Sequence, residues 1–337
     1  MNVAEATGTL KVGLALGSGS ARGLSHIGVL QELREMGIQP AVVCGTSIGA
    51  LVGAAFCSGN LDEIGRWFVA MSTRDVFRYL DIRPISRGGV GRADRLIAHL
   101  RERFGSPRIE DLPYAFAAVG TELATGRELW IQRGDLWDAV RGSIAIPGLL
   151  SPVRVDGRWV VDGGLVNPVP VSVCRALGAD LIIAINLNDE LNGRQQARLM
   201  QKRAQRAGDQ KPEPGLIDRL ANGIREISPP LLAQWLEADQ KSHPDDDTPG
   251  IFSVVTNAIN IMQDRITRSR LAGEPSDVMI TPHLAHIGLL DFDTASEVIA
   301  EGRAAARSAA LQIRYALGLS DPGVEPVETE IPGSKHR

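Results

Sequence analysis

The sequence contains 337 residues, enough for one large α/β domain or two ordinary ones, and 44% of them are hydrophobic, as in a globular protein. A formal net charge of −4 and an aromatic content of only 4% argue against nucleic acid as the main partner. No apolar run approaches the roughly 20 residues that cross a bilayer, and no secretory leader is visible at the start. The three cysteines, Cys44, Cys57 and Cys174, show no CxxC spacing and indicate buried free thiols in a reducing compartment, so we expect a cytoplasmic protein.

Strands and helices alternate in the first part of the chain. Residues 11–17 (KVGLALG) predict a strand, and 25–37 predict a helix with apolar residues at helical spacing and a final glycine as its stop. A second strand at 41–45 (AVVCG) and a helix of small residues at 48–59 follow. This βαβ order predicts a parallel sheet that is covered by helices on both faces.

The middle of the chain adds helices and pairs of strands. Two amphipathic helices are predicted at 61–71 and 92–105. Residues 115–131 predict two joined strands, and 154–164 predict a hairpin with an Asp-Gly dipeptide at its tip. A further buried strand is expected at 180–187 (DLIIAINL).

The composition changes after this strand. A basic stretch, a Pro-punctuated apolar stretch and an acidic linker follow one another, which is typical of an insertion or mobile cap. Regular structure is then predicted as a helix at 251–272, a strand at 277–282 and a helix at 293–318. The predicted divisions are an N-terminal tail (1–10), a core (11–188), an insertion or cap (189–250), C-terminal helices and a strand that complete the domain (251–320), and a disordered tail (321–337).

The stretch GTSIG places Ser47 between Gly45 and Gly49, directly after a predicted strand and before a predicted helix. This G-x-S-x-G pattern is typical of a nucleophile elbow, where the flanking glycines relieve clashes and the hydroxyl stands beside a helix N-terminus. The alternative is a Gly-rich turn in which Ser47 merely caps the helix.

A second Gly-rich stretch, residues 16–28 (LGSGSARGLSHIG), also joins a strand to a helix. It fails as a dinucleotide fingerprint because Arg22 takes the third glycine position, and it fails as a P-loop because no Gly-Lys-Ser/Thr follows. The pattern favours a loop whose backbone N–H groups receive an oxyanion, with Arg22 available for a phosphate or carboxylate. A tight βα turn without such a role is the alternative.

Asp162 ends an apolar strand and is followed at once by Gly163 and Gly164, which places a carboxylate where buried strands terminate. Such an aspartate can serve as a general base, or it can form an Asx turn or cap a helix that begins near Pro168. The histidines give no clear partner for Ser47, and no cluster of metal ligands is visible. They are His26, His99, His243, His283, His286 and His336.

The order of these three stretches, a Gly-rich loop with Arg-Gly, then GTSIG, then DGG, resembles the patatin-like phospholipase family. Residues 13–33, 163–180 and 260–282 resemble its bacterial RssA-type branch, which is related to neuropathy target esterase. The resemblance covers residues 11–317 and implies an α/β fold of three layers, α/β/α, with a mainly parallel central sheet. It also implies a Ser–Asp dyad without histidine, metal or cofactor.

Carried over onto this sequence, the resemblance implies that Ser47 is the nucleophile and Asp162 the base. The amides of Gly19, Ser20 and Ala21 would donate to the oxyanion, with Arg22 assisting. The family's usual loop, G-G-G-x-[KR]-G, has serine here at its first and third glycine positions, which keeps the backbone amides in place. The motif positions are Gly17, Ser18, Gly19, Ser20, Ala21, Arg22 and Gly23 in the loop, Gly45 and Gly49 at the elbow, and Gly163 and Gly164 after the aspartate.

The expected function is a serine acyl hydrolase, of the lipolytic esterase, phospholipase or lysophospholipase type, acting on lipid or acyl-ester substrates. One alternative is a catalytically weak regulator that keeps the fold and an acyl ligand, and another is nucleotide binding. Residues 194–236, basic and then apolar, could contact anionic lipid at the inner membrane face, or could form a cap or a contact between copies of the chain.

Overall fold

The computed structural model describes residues 10–81, 89–188 and 251–319. The predicted insertion or cap at 189–250, with the membrane-contact stretch inside it, lies outside the described residues, and so does the predicted tail at 321–337. The strands that position the candidate site lie within the described residues.

Apolar runs and period-two patterns form ten strands in the described part of the chain. The strands are β1 (Val12–Leu16), β2 (Pro40–Thr46), β3 (Gly89–Gly91), β4 (Ala115–Glu122), β5 (Glu128–Ile131), β6 (Gly148–Leu150), β7 (Val153–Val155), β8 (Arg158–Asp162), β9 (Leu181–Ile185) and β10 (Val278–Ile280).

Segments with apolar residues every three or four positions form the helices. The α-helices of the described residues are α1 (Ser25–Glu35), α2 (Ile48–Cys57), α3 (Leu61–Val69), α4 (Thr73–Leu80), α5 (Asp94–Phe104), α6 (Leu136–Ser143), α7 (Val171–Ala176), α8 (Ile251–Gly273), α9 (Ala295–Ser308) and α10 (Ala310–Ala316).

The central sheet is mainly parallel. Strands β10, β9, β1, β2 and β4 lie side by side in that order and run in one direction. Strands β5 and β8 pair antiparallel with β4, and β7 pairs antiparallel with β8. Strands β3 and β6 form a separate parallel pair.

Two layers of helices cover the sheet. Every residue of β1 and of β9 is buried, as expected for parallel strands packed on both faces. Leu14 and Leu16 pack with α1, α2 and α9 on one face, whereas Ala15 packs with α7 on the other. The structure therefore confirms the predicted three-layer α/β/α arrangement with a mainly parallel sheet.

The register of β4 explains how two distant parts of the chain meet. Gly45 and Thr46 of β2 pair with Ala118 and Val119 of β4, while Asp162 of β8 pairs with Gly120. Strand β5 occupies the other side of β4 over the same stretch. Strands β2 and β8 must therefore lie on one side of β4, and the C-terminal end of β2 points at the C-terminal end of β8.

Two predicted helix boundaries are wrong. The helix expected from near Pro168 begins only at Val171, because residues before a proline avoid the helical conformation and Pro170 is such a barrier. The single helix predicted at 293–318 is two helices that meet at Ala309, whose amide donates to two carbonyls at once. Neither change moves a candidate site residue.

Two expectations about the whole chain concern thiols and the membrane. The three cysteines are buried and free of disulfides, as predicted. Among the described helices, none is both long enough and apolar enough to span a bilayer.

Candidate active site

Ser47 lies at the corner between β2 and α2, in a backbone conformation that few side chains adopt. Its φ is 58° and its ψ is −123°, the strained geometry expected of a serine in a strand–turn–helix elbow. The Ser47 hydroxyl makes no capping hydrogen bond to α2, so the helix-cap alternative does not describe its role.

The two flanking glycines permit this corner because backbone passes directly over backbone. A Cβ on Gly49 would lie 2.2 Å from the carbonyl oxygen of Leu16, at the end of β1. A Cβ on Gly45 would lie 2.4 Å from the carbonyl oxygen of Gly49. Any side chain at either position would push α2 off the sheet and move Ser47 with it.

The Ser47 hydroxyl donates a hydrogen bond to the carboxylate of Asp162, with 2.6 Å between Ser47 Oγ and Asp162 Oδ2. The second carboxylate oxygen, Oδ1, accepts from the Gly164 amide at 2.7 Å. The carboxylate thus makes the Asx-type contact considered for it and also reaches the serine. Two hydrogen bonds hold the backbone of Asp162. Its amide donates to the carbonyl of Ala145 at 2.9 Å, and its carbonyl accepts from Thr121 Oγ1 at 2.8 Å.

Burial changes the acid–base chemistry of this pair. Only 3% of Ser47 and 2% of Asp162 are exposed. Removal from water raises the pKa of Asp162 to about 6, although the hydrogen bonds from Ser47 and from the Gly164 amide act in the opposite direction. The carboxylate is therefore a stronger base than an exposed aspartate while it remains ionised above neutral pH.

The Gly-rich loop between β1 and α1 presents two backbone amides beyond those it uses for its own structure. The amides of Gly17, Ser18 and Ala21 donate to the carbonyls of Ile185, Pro168 and Leu289. For the amides of Gly19 and Ser20, the described residues provide no backbone acceptor. The Ala21 amide is thus already engaged, which removes it from the predicted set of oxyanion donors.

Arg22 supports the loop from inside the protein. It is 1% exposed, its Nε donates to the carbonyl of Gly19 at 3.3 Å, and its Nη2 donates to Asn260 Oδ1 at 3.3 Å. Burial lowers the pKa of its guanidinium to about 10. The expectation that Arg22 is available to a phosphate or carboxylate ligand is therefore wrong for this conformation. Gly23 beside it allows the close approach of Ile48.

An apolar cleft opens beside Ser47. It encloses about 630 Å³ of empty space, including its open mouth, and aliphatic and aromatic side chains form most of its wall. Its lining is that of a site for an apolar chain. The lining residues are Ser20, Ser47, Ile48, Leu51, Trp67, Phe68, Met71, Val76, Tyr79, Leu80, Leu96, Ile144, Ile146, Leu149, Leu150, Leu290 and Phe292.

Comparison with known proteins shows the family to which the chain belongs. The model of the family described as "Patatin-like phospholipase" matches residues 14–175, a range that contains both Ser47 and Asp162. An uncharacterized NTE family protein of Mycobacterium tuberculosis is 37% identical over 328 residues, which cover 89% of this chain and 91% of the relative. The chain belongs to the patatin-like phospholipase family, in its NTE-related branch.

More distant relatives share part of the chain. Neuropathy target esterase of Drosophila melanogaster is 36% identical over 186 residues, which are 53% of this chain and 13% of that protein. The structure of VipD from Legionella pneumophila aligns over 89% of this chain and 66% of its own, with 14% identity and a TM-score of 0.42. Membership in the patatin-like phospholipase family places the chain among lipid ester hydrolases.

Two histidines of this patatin-like chain have structural partners. His26, on α1, is buried, and its Nε2 lies 2.8 Å from the carbonyl oxygen of Gly17. Burial lowers the pKa of His26 to about 4, so the ring is neutral near pH 7. His99 stacks on Trp67 with ring centroids 5.1 Å apart. The hydrogen bond of the Ser47 hydroxyl is accepted by the carboxylate of Asp162 and not by either of these histidines. Within the described ranges, no group of three His, Cys, Asp or Glu side chains could hold a metal ion.

Ser143, at the end of α6, is a site residue that the sequence pattern does not reveal. The Ser47 amide donates to Ser143 Oγ at 2.8 Å, and Ser143 Oγ donates in turn to the carbonyl of Val119 at 2.6 Å. Ser143 is fully buried. It holds the backbone of Ser47 while the hydroxyl of Ser47 points to Asp162. Nothing in its neighbourhood along the sequence indicates this role.

Proposed function

We propose that the protein is a serine acyl hydrolase, of the esterase, phospholipase or lysophospholipase type, that cleaves fatty-acyl esters through an acyl-enzyme at Ser47. The observation that carries the proposal is the 2.6 Å hydrogen bond from the Ser47 hydroxyl to the buried Asp162, at the wall of an apolar cleft. Family membership supports the class of reaction.

Acylation begins when Ser47 Oγ attacks the ester carbonyl carbon and its proton passes to Asp162 Oδ2. The carbonyl oxygen becomes an oxyanion that accepts hydrogen bonds from the amides of Gly19 and Ser20. The tetrahedral intermediate then expels the alcohol, which takes the proton from Asp162. Ser47 is left esterified with the fatty acid.

Deacylation repeats these steps with water. Asp162 removes a proton from the water as its oxygen attacks the acyl carbon, and the same two amides stabilise the second oxyanion. Ser47 Oγ leaves and recovers the proton from Asp162, which releases the fatty acid and restores the starting state.

A carboxylate can act as the base here because it is buried. A free aspartate has a pKa of about 3.9 and a free histidine about 6.5. Burial brings the pKa of Asp162 to about 6, close to that of an imidazole. Replacing a histidine base with an aspartate would ordinarily weaken the driving force for proton transfer from Ser47. The raised pKa of Asp162 removes most of that loss.

The cleft favours an acyl chain as the group that is transferred. Leu51, Ile144 and Phe68 line the wall and offer no charge to a head group. Each methylene that moves from water into such a wall contributes roughly 0.8 kcal/mol. A long acyl chain should therefore bind better than a short one, with the alcohol or head group toward the solvent.

The decisive experiment is covalent labelling by a fluorophosphonate probe, together with hydrolysis of long-chain p-nitrophenyl esters and of lysophosphatidylcholine. Wild type should be labelled at Ser47, and Ser47→Ala and Asp162→Asn should lose hydrolysis while they keep their circular dichroism spectra. Ser58→Ala is the matched control, because this serine ends α2 and its hydroxyl bonds only to carbonyls of that helix and to the neighbouring Asn60 side chain.

Two results would reject the proposal. If folded wild type takes up no probe, the protein is better described as a regulator that keeps an acyl ligand. If Asp162→Asn hydrolyses esters at the rate of wild type, Asp162 is not the base.

A further inference from the structure

The two serines of the Gly-rich loop bond to different parts of the protein. Ser18 Oγ donates to Gln263 Oε1 on α8 at 3.1 Å. Ser20 Oγ donates to the carbonyl of Leu289 at 2.5 Å. Both hydroxyls therefore hold the loop in place, but only one of them bonds to the segment that follows β10.

Ser20 adopts a backbone conformation that suits glycine. Its φ is 52°, in the left-handed region, where a non-glycine residue costs roughly 1 kcal/mol. The Leu289 carbonyl accepts from Ser20 Oγ and also from the Ala21 amide, at 3.1 Å. These two hydrogen bonds to one carbonyl offset the backbone strain at Ser20. They also orient the Ser20 amide, one of the two proposed oxyanion donors.

The Leu289 carbonyl belongs to a tight turn that also forms part of the cleft wall. The Gly288 amide donates to Asp291 Oδ2 at 2.9 Å, and the Phe292 amide donates to the Leu290 carbonyl at 2.8 Å. Leu290 and Phe292 both line the cleft, and Phe292 stacks on Phe68. One turn therefore contacts the space for the acyl chain on one side and the loop serine on the other.

We propose that Ser20 is a positioning residue that couples occupancy of the cleft to the oxyanion loop. This inference rests on the proposed hydrolase function. A long acyl chain packs against Leu290 and Phe292 and immobilises the turn, which fixes the Leu289 carbonyl and, through it, the amide of Ser20. A short chain leaves the turn without that support. The chain length of the substrate then affects kcat as well as KM.

The test compares p-nitrophenyl butyrate with p-nitrophenyl decanoate in wild type, Ser20→Gly and Ser18→Gly. Wild type should have a higher kcat for the decanoate. Ser20→Gly keeps a backbone that tolerates the positive φ but loses the bond to Leu289, so the ratio of the two kcat values should fall about fivefold, the rate equivalent of one hydrogen bond. Ser18→Gly, which loses a bond to α8 instead, should keep the wild-type ratio within about twofold.

Three outcomes would overturn the coupling. The first is a wild-type kcat that is independent of chain length. The second is an unchanged ratio of kcat values in Ser20→Gly, and the third is an equal loss of that ratio in Ser18→Gly. Each would overturn the coupling but leave the proposed ester hydrolysis intact. Wild type that hydrolyses neither ester would overturn the proposed function and the coupling together. Ser20→Ala, which keeps the strain but lacks the hydroxyl, should repeat the loss of ratio, and its melting temperature checks that it folds.

Discussion

The buried carboxylate of Asp162 leads to a prediction about both activity and stability. Because burial raises its pKa to about 6, the carboxylate loses its charge as the pH falls through 6, and kcat/KM should fall tenfold per pH unit below that point. Above about pH 7 the rate should be constant. An aspartate with its ordinary pKa would instead keep full activity down to about pH 4.5.

The same shift has a cost in stability with a definite sign. The pKa in the folded state is about 6 and the reference value is 3.8, so the folded state binds more protons than the unfolded state between these values. The free energy of unfolding therefore decreases as the pH rises through this window, by about 3 kcal/mol in total at pH 8.

Asp162→Asn removes the charge and keeps the shape. We expect this variant to lose hydrolysis and yet to be more stable than wild type at pH 8, with a melting temperature about 4 °C higher for a chain of 337 residues. At pH 5 the difference in the free energy of unfolding between Asp162→Asn and wild type should fall to about half of its value at pH 8. Asp162 of folded wild type is mostly protonated at pH 5 and no longer carries the buried charge.

The assay is a pH profile of kcat/KM on a p-nitrophenyl ester from pH 4.5 to 9, with thermal unfolding at pH 5 and 8. His286→Gln is the control variant, because it removes a histidine whose side chain pairs with Glu297 at the surface. A flat profile down to pH 4.5, or an Asp162→Asn variant that is less stable at pH 8, would refute the reasoning.

Three further predictions concern the elbow and the cleft. Ser143→Ala leaves the buried Ser47 amide without its acceptor, so kcat should fall about tenfold with KM little changed, and kinetics of Ser58→Ala provide the comparison. Gly49→Ala places a Cβ 2.2 Å from a backbone oxygen and should cost more than about 3 kcal/mol in the free energy of unfolding, whereas Gly59→Ala, with open space around it, should cost about 1 kcal/mol. Leu149→Trp should fill part of the cleft and lower kcat/KM for decanoate esters at least about tenfold while butyrate hydrolysis is kept.

Each of these has a result that would contradict it. Equal kinetics of Ser143→Ala and Ser58→Ala would mean that the Ser47 amide needs no acceptor. Denaturant unfolding that shows equal losses for the two glycine variants would contradict the close approach at Gly49. A Leu149→Trp enzyme with unchanged preference for long chains would place the acyl group outside the cleft.

The sequence predicts the local structure well where residue chemistry is decisive. The hairpin at 154–164 was predicted from Asp156-Gly157, and these residues have φ values of 48° and 79°, as a turn with two left-handed residues requires. The strands that carry the Gly-rich loop and the elbow were predicted from continuous apolar runs. In each case a local preference agrees with the fold.

Two helices were not predicted although their starting signals are present. Ser72 and Asp75 form a capping box at the start of α4. Asp135 accepts from the amides of Trp137 and Asp138 at the start of α6. Each of these helices has only eight residues, little more than two turns, so each offers few repeats of an apolar pattern. The capping residues would have revealed α6, and with it the position of Ser143, but not the contact that this serine makes.

The contact between Ser47 and Asp162 lies beyond sequence reasoning because 115 residues separate the two side chains. A motif can identify each residue, but their distance depends on the register of β2 and β8 along β4. A shift of β8 by one residue would turn Asp162 to the opposite face of the sheet. The resemblance to a family implies the pairing, whereas residue patterns alone leave it open.

The junction of β2 and β8 also explains why a serine is needed at position 143. Where the two strand ends meet, β4 exchanges β2 for β8 as its partner, and the Ser47 amide has no backbone acceptor among the described residues. Buried backbone groups of this kind must find other partners. The Ser143 hydroxyl accepts from the Ser47 amide and donates to the Val119 carbonyl, which a hydroxyl can do with a single oxygen atom. The junction that lets Asp162 reach Ser47 thus leaves the Ser47 amide to be satisfied by Ser143.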